Sequence, residues 1–393
     1  MAEETDITKS LNWRKIVVPV ALGLIAAGYL LIHNLNKVRF VKTTEGQGEY
    51  QWKDSNGDLQ IDLEDASEFM AVPAGDYIKK TSIDLLHELE WTGYMALFGL
   101  IAILMVVIRD LGYIYRIRIL TDKYLSWRQS FDVIMLWESA SALTPSVVGG
   151  SGVAIFILNR EGINLGRSTA VVFVTAMMDE IFYILMVPAV FLIVGTDSLF
   201  PGEWGSSSFG IQSIHILFWI GYSFIVLMTT AIVLSIFWFP YTFKRCLMRV
   251  FSIKLLRRWL KKVINLGDEI IISSSQLKGK PISFWTKAFL ATSASWTARF
   301  FTLNFIILIF LSNIDHLVVY GRQLVMWVIM LISPTPGSSG VAEIALSAFF
   351  SHDIIPIAYI ALIAIIWRLL TYFPYLFIGA AILPRWLKRT AGN

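Results

Sequence analysis

The chain has 393 residues, 56% hydrophobic and 16% charged, and its mean hydropathy of +0.63 excludes an ordinary soluble domain. Thirty-three Lys and Arg against 29 Asp and Glu leave a formal charge of +4, and no nucleic-acid partner is expected. One cysteine, Cys246, rules out an internal disulfide framework; five scattered histidines and no nucleotide-binding glycine pattern leave no catalytic machinery of a soluble kind, so no enzyme activity is expected.

In chain order, residues 1–35 hold a basic start, Arg14-Lys15, and an apolar run, Ile16–Ile32, just long enough to cross a bilayer. No small residues for cleavage follow, so this run is expected to stay as a signal-anchor. Residues 36–90 form an acidic loop containing a candidate calcium loop: Asp54, Asn56, Asp58, Asp62 and Asp65 stand at ligand positions, with the Gln60 carbonyl as backbone ligand. Leu59 occupies the position that normally needs glycine, so an ordinary acidic turn competes with this reading. Calcium is the only cofactor suggested.

Further spans are expected over Trp91–Ile108, Ser168–Val194, Ile211–Phe239, Phe284–Leu311 and Ile354–Leu383, with two broken apolar segments over Phe131–Leu158 and Tyr320–Phe350. Basic loop residues collect on the cytoplasmic side. Arg109 to Arg128, Arg160 and Arg167, the loop 240–283 and the tail 384–393 are therefore placed inside, and Gly195–Gly210, without Lys or Arg, outside. Both termini are then cytoplasmic, in a cell inner membrane. The first broken segment enters and leaves from inside, the second from outside, each as a re-entrant hairpin. Residues 91–194 and 284–383 thus form an inverted repeat joined by the span 211–239. The expected fold is an all-α polytopic membrane protein with about six full spans and two re-entrant hairpins. In the loop 240–283, Lys254, Arg257, Arg258, Lys261 and Lys262 recur at helical spacing, as in a basic helix lying on anionic lipid.

The hairpin tips are the most informative sites. Thr144, Pro145, Ser146, Gly149, Gly150, Ser151 and Gly152 break the first, and Thr335, Pro336, Gly337, Ser338 and Gly340 the second. Irregular backbone at membrane depth persists only where protein or a wet cavity surrounds it. Helices restarting after Gly152 and Gly340 would offer unpaired N–H groups to a phosphate or carboxylate, although the serines could equally serve only as caps. Paired discontinuous helices in inverted repeats are the usual build of a transport site near the bilayer midplane. Ionisable groups inside the spans, Glu138, Asp179, Glu180, Arg299, Glu343 and Arg368, should face such a path. Asp179 and Glu180 align with Arg368 across the repeat, which suggests an ion pair between them. That pair would serve either transport or bundle packing.

The run Ser333 to Glu343 resembles the Pro-x-Pro-Gly-Gly-x-Gly-x-x-Glu signature of the lysylphosphatidylglycerol synthase transmembrane, or flippase-like, family at Pro336, Gly337, Gly340 and Glu343, with Ser338 in place of the second glycine. The resemblance would cover roughly Leu11–Leu383 and implies a membrane domain that moves lipids. The synthase domain that aminoacylates them is not expected, because the sequence ends at Asn393. Membrane lipids are the expected partner, and an oligomer remains open. Two other functions stay open as well: a secondary transporter of a soluble anion, and a membrane factor in envelope glycolipid assembly.

Overall fold

The computed structural model describes residues 32, 36 and 38–390, except 56, 58–60, 62, 64, 82, 85–86, 88–91, 145, 201–207, 254–256, 258–259, 312, 331–340 and 351–353. The expected signal-anchor and the whole second glycine break, including Thr335, Pro336, Gly337, Ser338 and Gly340, lie outside the described residues.

The segment read as an acidic loop folds into a small antiparallel sheet. Its strands are β1 (Val38–Lys42), β2 (Gly48–Trp52), β3 (Phe69–Gly75) and β4 (Tyr77–Thr81), in the order β1-β4-β2-β3. Alternation puts Phe40, Phe69 and Tyr77 on one face, where Phe40 and Phe69 stack at 3.9 Å. Gly48 and Gly75 are needed because a Cβ on Gly75 would stand 2.2 Å from the Tyr50 carbonyl oxygen.

The rest of the described chain is helical: α1 (Gly93–Leu120), α2 (Trp127–Leu143), α3 (Ser146–Arg160), α4 (Leu165–Val194), α5 (Ser208–Val233), α6 (Pro240–Phe251), α7 (Leu260–Lys278), α8 (Ile282–Phe310), α9 (His316–Met330), α10 (Val341–Phe350), α11 (Ile357–Thr371) and α12 (Phe373–Thr390). Among the described residues, five stretches are long and apolar enough to cross a membrane: Gly93–Leu120, Leu165–Val194, Ile214–Val233, Ile282–Phe310 and Leu362–Thr390. The outer face of α1 carries Leu97, Leu100, Ile103, Leu104 and Val107, all exposed, as a lipid-facing ridge.

Local chemistry sets several boundaries. Thr92 caps α1, Asn164 caps α4, and Ser126 with Gln129 closes a capping box at the start of α2. A π-helical turn, Leu234–Trp238, ends the α5 crossing before Pro240 opens α6.

α1 and α8 form the most extensive helix pair, and small residues allow the close approach: a Cβ on Gly112 would lie 2.1 Å from Ser295 Oγ and 2.9 Å from the Ala291 carbonyl oxygen. α12 packs on α2 in the same way, with Gly379 against Ser139. α9 packs on α4, α11 on α8, and α7 on both α4 and α6.

Three sequence expectations change. The helix of the first span continues past Ile108 to Leu120, so Arg109 and Arg116 belong to it and are buried. Gly149, Gly150, Ser151 and Gly152 do not precede a restarted helix but lie inside α3, which begins at Ser146. Gly150 is there for packing, since a Cβ on it would stand 2.2 Å from Ser141 Oγ on α2. The span expected over Ile354–Leu383 is two helices with a break at Tyr372, whose ψ of −61° and φ of −127° leave the helical path ahead of Pro374. Of the basic run in the loop 240–283, Lys261 and Lys262 lie in α7, which begins at Leu260, while Lys254 and Arg258 lie outside the described residues.

Candidate functional site

A cavity of about 300 Å³ lies between α1, α2, α3, α4, α8, α9, α11 and α12. Its lining includes Glu138, Thr144, Ser151, Asp179, Glu180, Arg299 and Arg368, so residues singled out from both halves of the sequence meet in one place. Tyr113, Arg116, Tyr183, Gln323 and Tyr375 join them, with Trp137, Trp296, Trp327 and Trp367 as aromatic wall. Ser146 and Gly149 are in the first turn of α3. Pro145 is outside the described residues.

Two discontinuities border this space. Thr144, the C-cap of α2, donates its hydroxyl to the Ala140 carbonyl at 2.8 Å, and the Tyr372 hydroxyl, at the break between α11 and α12, donates to the Ala142 carbonyl at 3.2 Å. The backbone freed at one break is thus partly satisfied from the other, as irregular chain at this depth requires.

The charges do not pair as the repeat alignment suggests. Arg116 on α1 holds Asp179 and reaches Thr292 Oγ1 at 3.0 Å, while Trp296 Nε1 donates to Asp179 Oδ1 at 2.8 Å. Arg368 instead pairs with Glu343 on α10, its Nε 2.7 Å from Oε1 and a terminal nitrogen 3.3 Å from Oε2, a two-point grip suited to a planar guanidinium. Behind the wall, fully buried Arg109 bonds Glu138 and Tyr375, and the Tyr375 hydroxyl donates to Asp110 at 2.9 Å. The reason is reach: α1 packs on both α2 and α4, so its arginines meet the carboxylates of those helices.

Arg299 is different. Among the described residues it makes neither a hydrogen bond nor an ion pair; its guanidinium carbon lies 4.3 Å from the Trp327 ring centre and 5.0 Å from that of Trp296. Two aromatic faces stabilise the cation without neutralising it. A second group, Glu180, is 7% exposed, and its Oε2 has no partner; the same holds for Tyr183 hydroxyl and Thr175 Oγ1, all three on the α4 face that lines the cavity.

Sequence reasoning missed Arg109, Arg116, Tyr113 and Tyr375 as site residues because the arginines resemble topological charges at a span end. Their signal is the spacing 109, 113, 116, one stripe along a helix face. At the candidate calcium loop, Asp54 Oδ1 accepts from the Gly57 N–H at 2.7 Å and Asp65 Oδ1 from the Ser67 N–H at 2.8 Å. The Ser67 bonds hold the Asp65 carboxyl below its ordinary range. Asn56, Asp58, Gln60 and Asp62 lie outside the described residues, and among those described no three metal-ligating side chains come together.

The model of the lysylphosphatidylglycerol synthase TM region matches residues 80–379, from the end of the sheet to within α12, and so spans the whole cavity. A "UPF0104 membrane protein" of Archaeoglobus fulgidus is 24% identical over 316 residues, 75% of this chain and 88% of its own length. No solved structure matches. With apolar helices long enough to span and a family match over most of its length, the chain is a multi-pass membrane protein that belongs to the lysylphosphatidylglycerol synthase TM region family.

Proposed function

We propose that the protein moves a phospholipid or isoprenoid-phosphate lipid across the inner membrane, with the lipid's anionic headgroup passing through the cavity. The observation that carries this reading is Arg299, a cation lining the cavity that makes no hydrogen bond or ion pair among the described residues and is flanked by two tryptophan rings, with the Glu138 carboxylate in electrostatic range but committed to Arg109. An uncompensated charge at membrane depth is costly, and the cost is relieved when an anion arrives. The other three cationic residues of the region are occupied by carboxylates: Arg109 by Glu138, Arg116 by Asp179 and Arg368 by Glu343. Family membership supports the choice of a lipid over a soluble anion.

The packing supports an inverted repeat. Exchanging α1 with α8, α2 with α9, and α4 with α12 turns the α2–α12 contact into the α9–α4 contact, and both are present around the shared α1–α8 pair. On this reading α2–α3 and α9–α10 are the re-entrant hairpins, and the cavity lies where their discontinuities converge.

The test is reconstitution into vesicles with a tail-labelled anionic phospholipid whose arrival in the outer leaflet is read by chemical quenching. The wild type should equilibrate the label, and R299A should slow it by about tenfold or more, the value of one charge-assisted contact. Equal rates in both proteins would remove Arg299 from the path. Uptake of inorganic phosphate without lipid movement would favour a transporter of soluble anions instead.

A further inference from the structure

We propose that Glu180 is a proton-binding site inside the cavity, and that a proton and the anionic headgroup occupy the cavity together, which makes lipid movement responsive to a transmembrane proton gradient. This inference rests on the lipid-translocase reading given above.

The argument is geometric. Glu180 is 7% exposed and lines the cavity, yet among the described residues no donor or cation meets it, and its Oε2 is buried without a partner. A bare carboxylate in such a place costs several kcal/mol, and binding a proton removes that cost. The neighbouring groups do not provide a counter-charge. On α4, Asp179 is engaged by Arg116 and Trp296, and Tyr183, one turn further on, has an unbonded hydroxyl. On α1, Tyr113 lines the cavity and Arg116 is committed to Asp179; on α2, Glu138 is held by Arg109. On α8, Arg299 lies between two tryptophans; on α9, buried Tyr320 stands outside the lining and Gln323 is neutral. On α11, Arg368 is held by Glu343 of α10, and beyond it Tyr372 and Tyr375 donate to Ala142 and Asp110. α3 lines the cavity with Ser151 alone, and α5 and α7, which also pack on α4, bring no ionisable side chain into the lining.

Charge balance leads to the same proton. Among Arg109, Arg116, Arg299 and Arg368 there are four positive charges, against five carboxyls at Asp110, Glu138, Asp179, Glu180 and Glu343. With Glu180 protonated the set is neutral. A phosphate arriving at Arg299 makes the cavity negative and so favours the proton on Glu180, and by linkage the proton favours the phosphate. The step moves one proton from water to the carboxylate, and no bond other than O–H forms or breaks.

Two measurements test this on the full-length protein. Infrared spectra of the reconstituted protein should show a protonated-carboxyl band that is missing from E180Q. Quenching of tryptophan fluorescence by brominated phosphatidylglycerol should report binding that weakens roughly fivefold or more as pH rises in the wild type and stays constant in E180Q. This readout survives even if E180Q moves no lipid. In vesicles, an imposed proton gradient should change the wild-type rate by a similar factor. Identical infrared bands, or the same pH profile of binding in both proteins, would overturn the proposal. Lipid movement that ignores the gradient would overturn the coupling and leave the translocase reading intact, whereas no lipid movement by the wild type would defeat that reading itself.

Discussion

Arg116 is 4% exposed and held between Asp179 and Thr292, so its charge is balanced by one carboxylate, whose other bond comes from the neutral Trp296 indole. Removing one member of a buried pair leaves the other charge without its partner, at a cost of about 3–5 kcal/mol, whereas replacing both with apolar groups can be close to neutral. R116A should therefore lower the thermal stability of the detergent-solubilised protein markedly, and R116M combined with D179L should recover much of it. A simple catalytic or binding role for Arg116 would instead leave stability intact and affect only lipid movement. Arg299 belongs to the opposite category. Among the described residues it makes no hydrogen bond or ion pair, only ring contacts with Trp296 and Trp327, so its loss should affect transport and leave the melting temperature close to that of the wild type.

At the scale of elements, the fit of α1 to α8 depends on a glycine. A methyl on Gly112 meets Ser295 Oγ, which a rotamer change can move, and also the Ala291 carbonyl, which belongs to the helix backbone and cannot. G112A is expected to destabilise by about 1–3 kcal/mol, and adding S295A should restore only part of the loss. Thermal unfolding of the three variants checks this. The same elements show what sequence can and cannot disclose. α4 and α8 are legible because each is a long run of apolar residues without a breaker that matters. The extension of α1 is not, because Arg109 and Arg116 look like loop charges until Glu138 and Asp179 are brought to them by other helices. The break at Tyr372 sits inside one long span with apolar residues on both sides, and Pro374 is its local sign. The small sheet is hidden for another reason: its strands are five to seven residues long, and their acidic setting draws attention to metal chemistry and away from Phe40, Phe69 and Tyr77. Of the site, the meeting of Thr144, Ser151, Asp179, Glu180, Arg299 and Arg368 follows from the idea of two facing breaks, but which charge pairs with which is decided by side-chain reach, and that depends on helix placement.

At the scale of the whole molecule, the proposed orientation can be read with one native residue. Cys246 on α6 is exposed and is the chain's single cysteine. A membrane-impermeant maleimide should label it only after cells are permeabilised, and a cysteine placed by D197C in a C246S background should be labelled in intact cells. Labelling of both from one side would invert or abolish the assigned topology, and with it the opposed entry of the two hairpins. The bond from Tyr372 to the Ala142 carbonyl has a further meaning at this scale. It ties the end of α2, in the first half of the chain, to the kink between α11 and α12 in the second. A swing of either half would strain that link, so the two discontinuities are expected to move together as a single hinge. On the proposed translocase reading, opening on one side of the bilayer and closing on the other would then be one stroke, and a state leaking through both at once would be disfavoured by the way the chain is latched to itself.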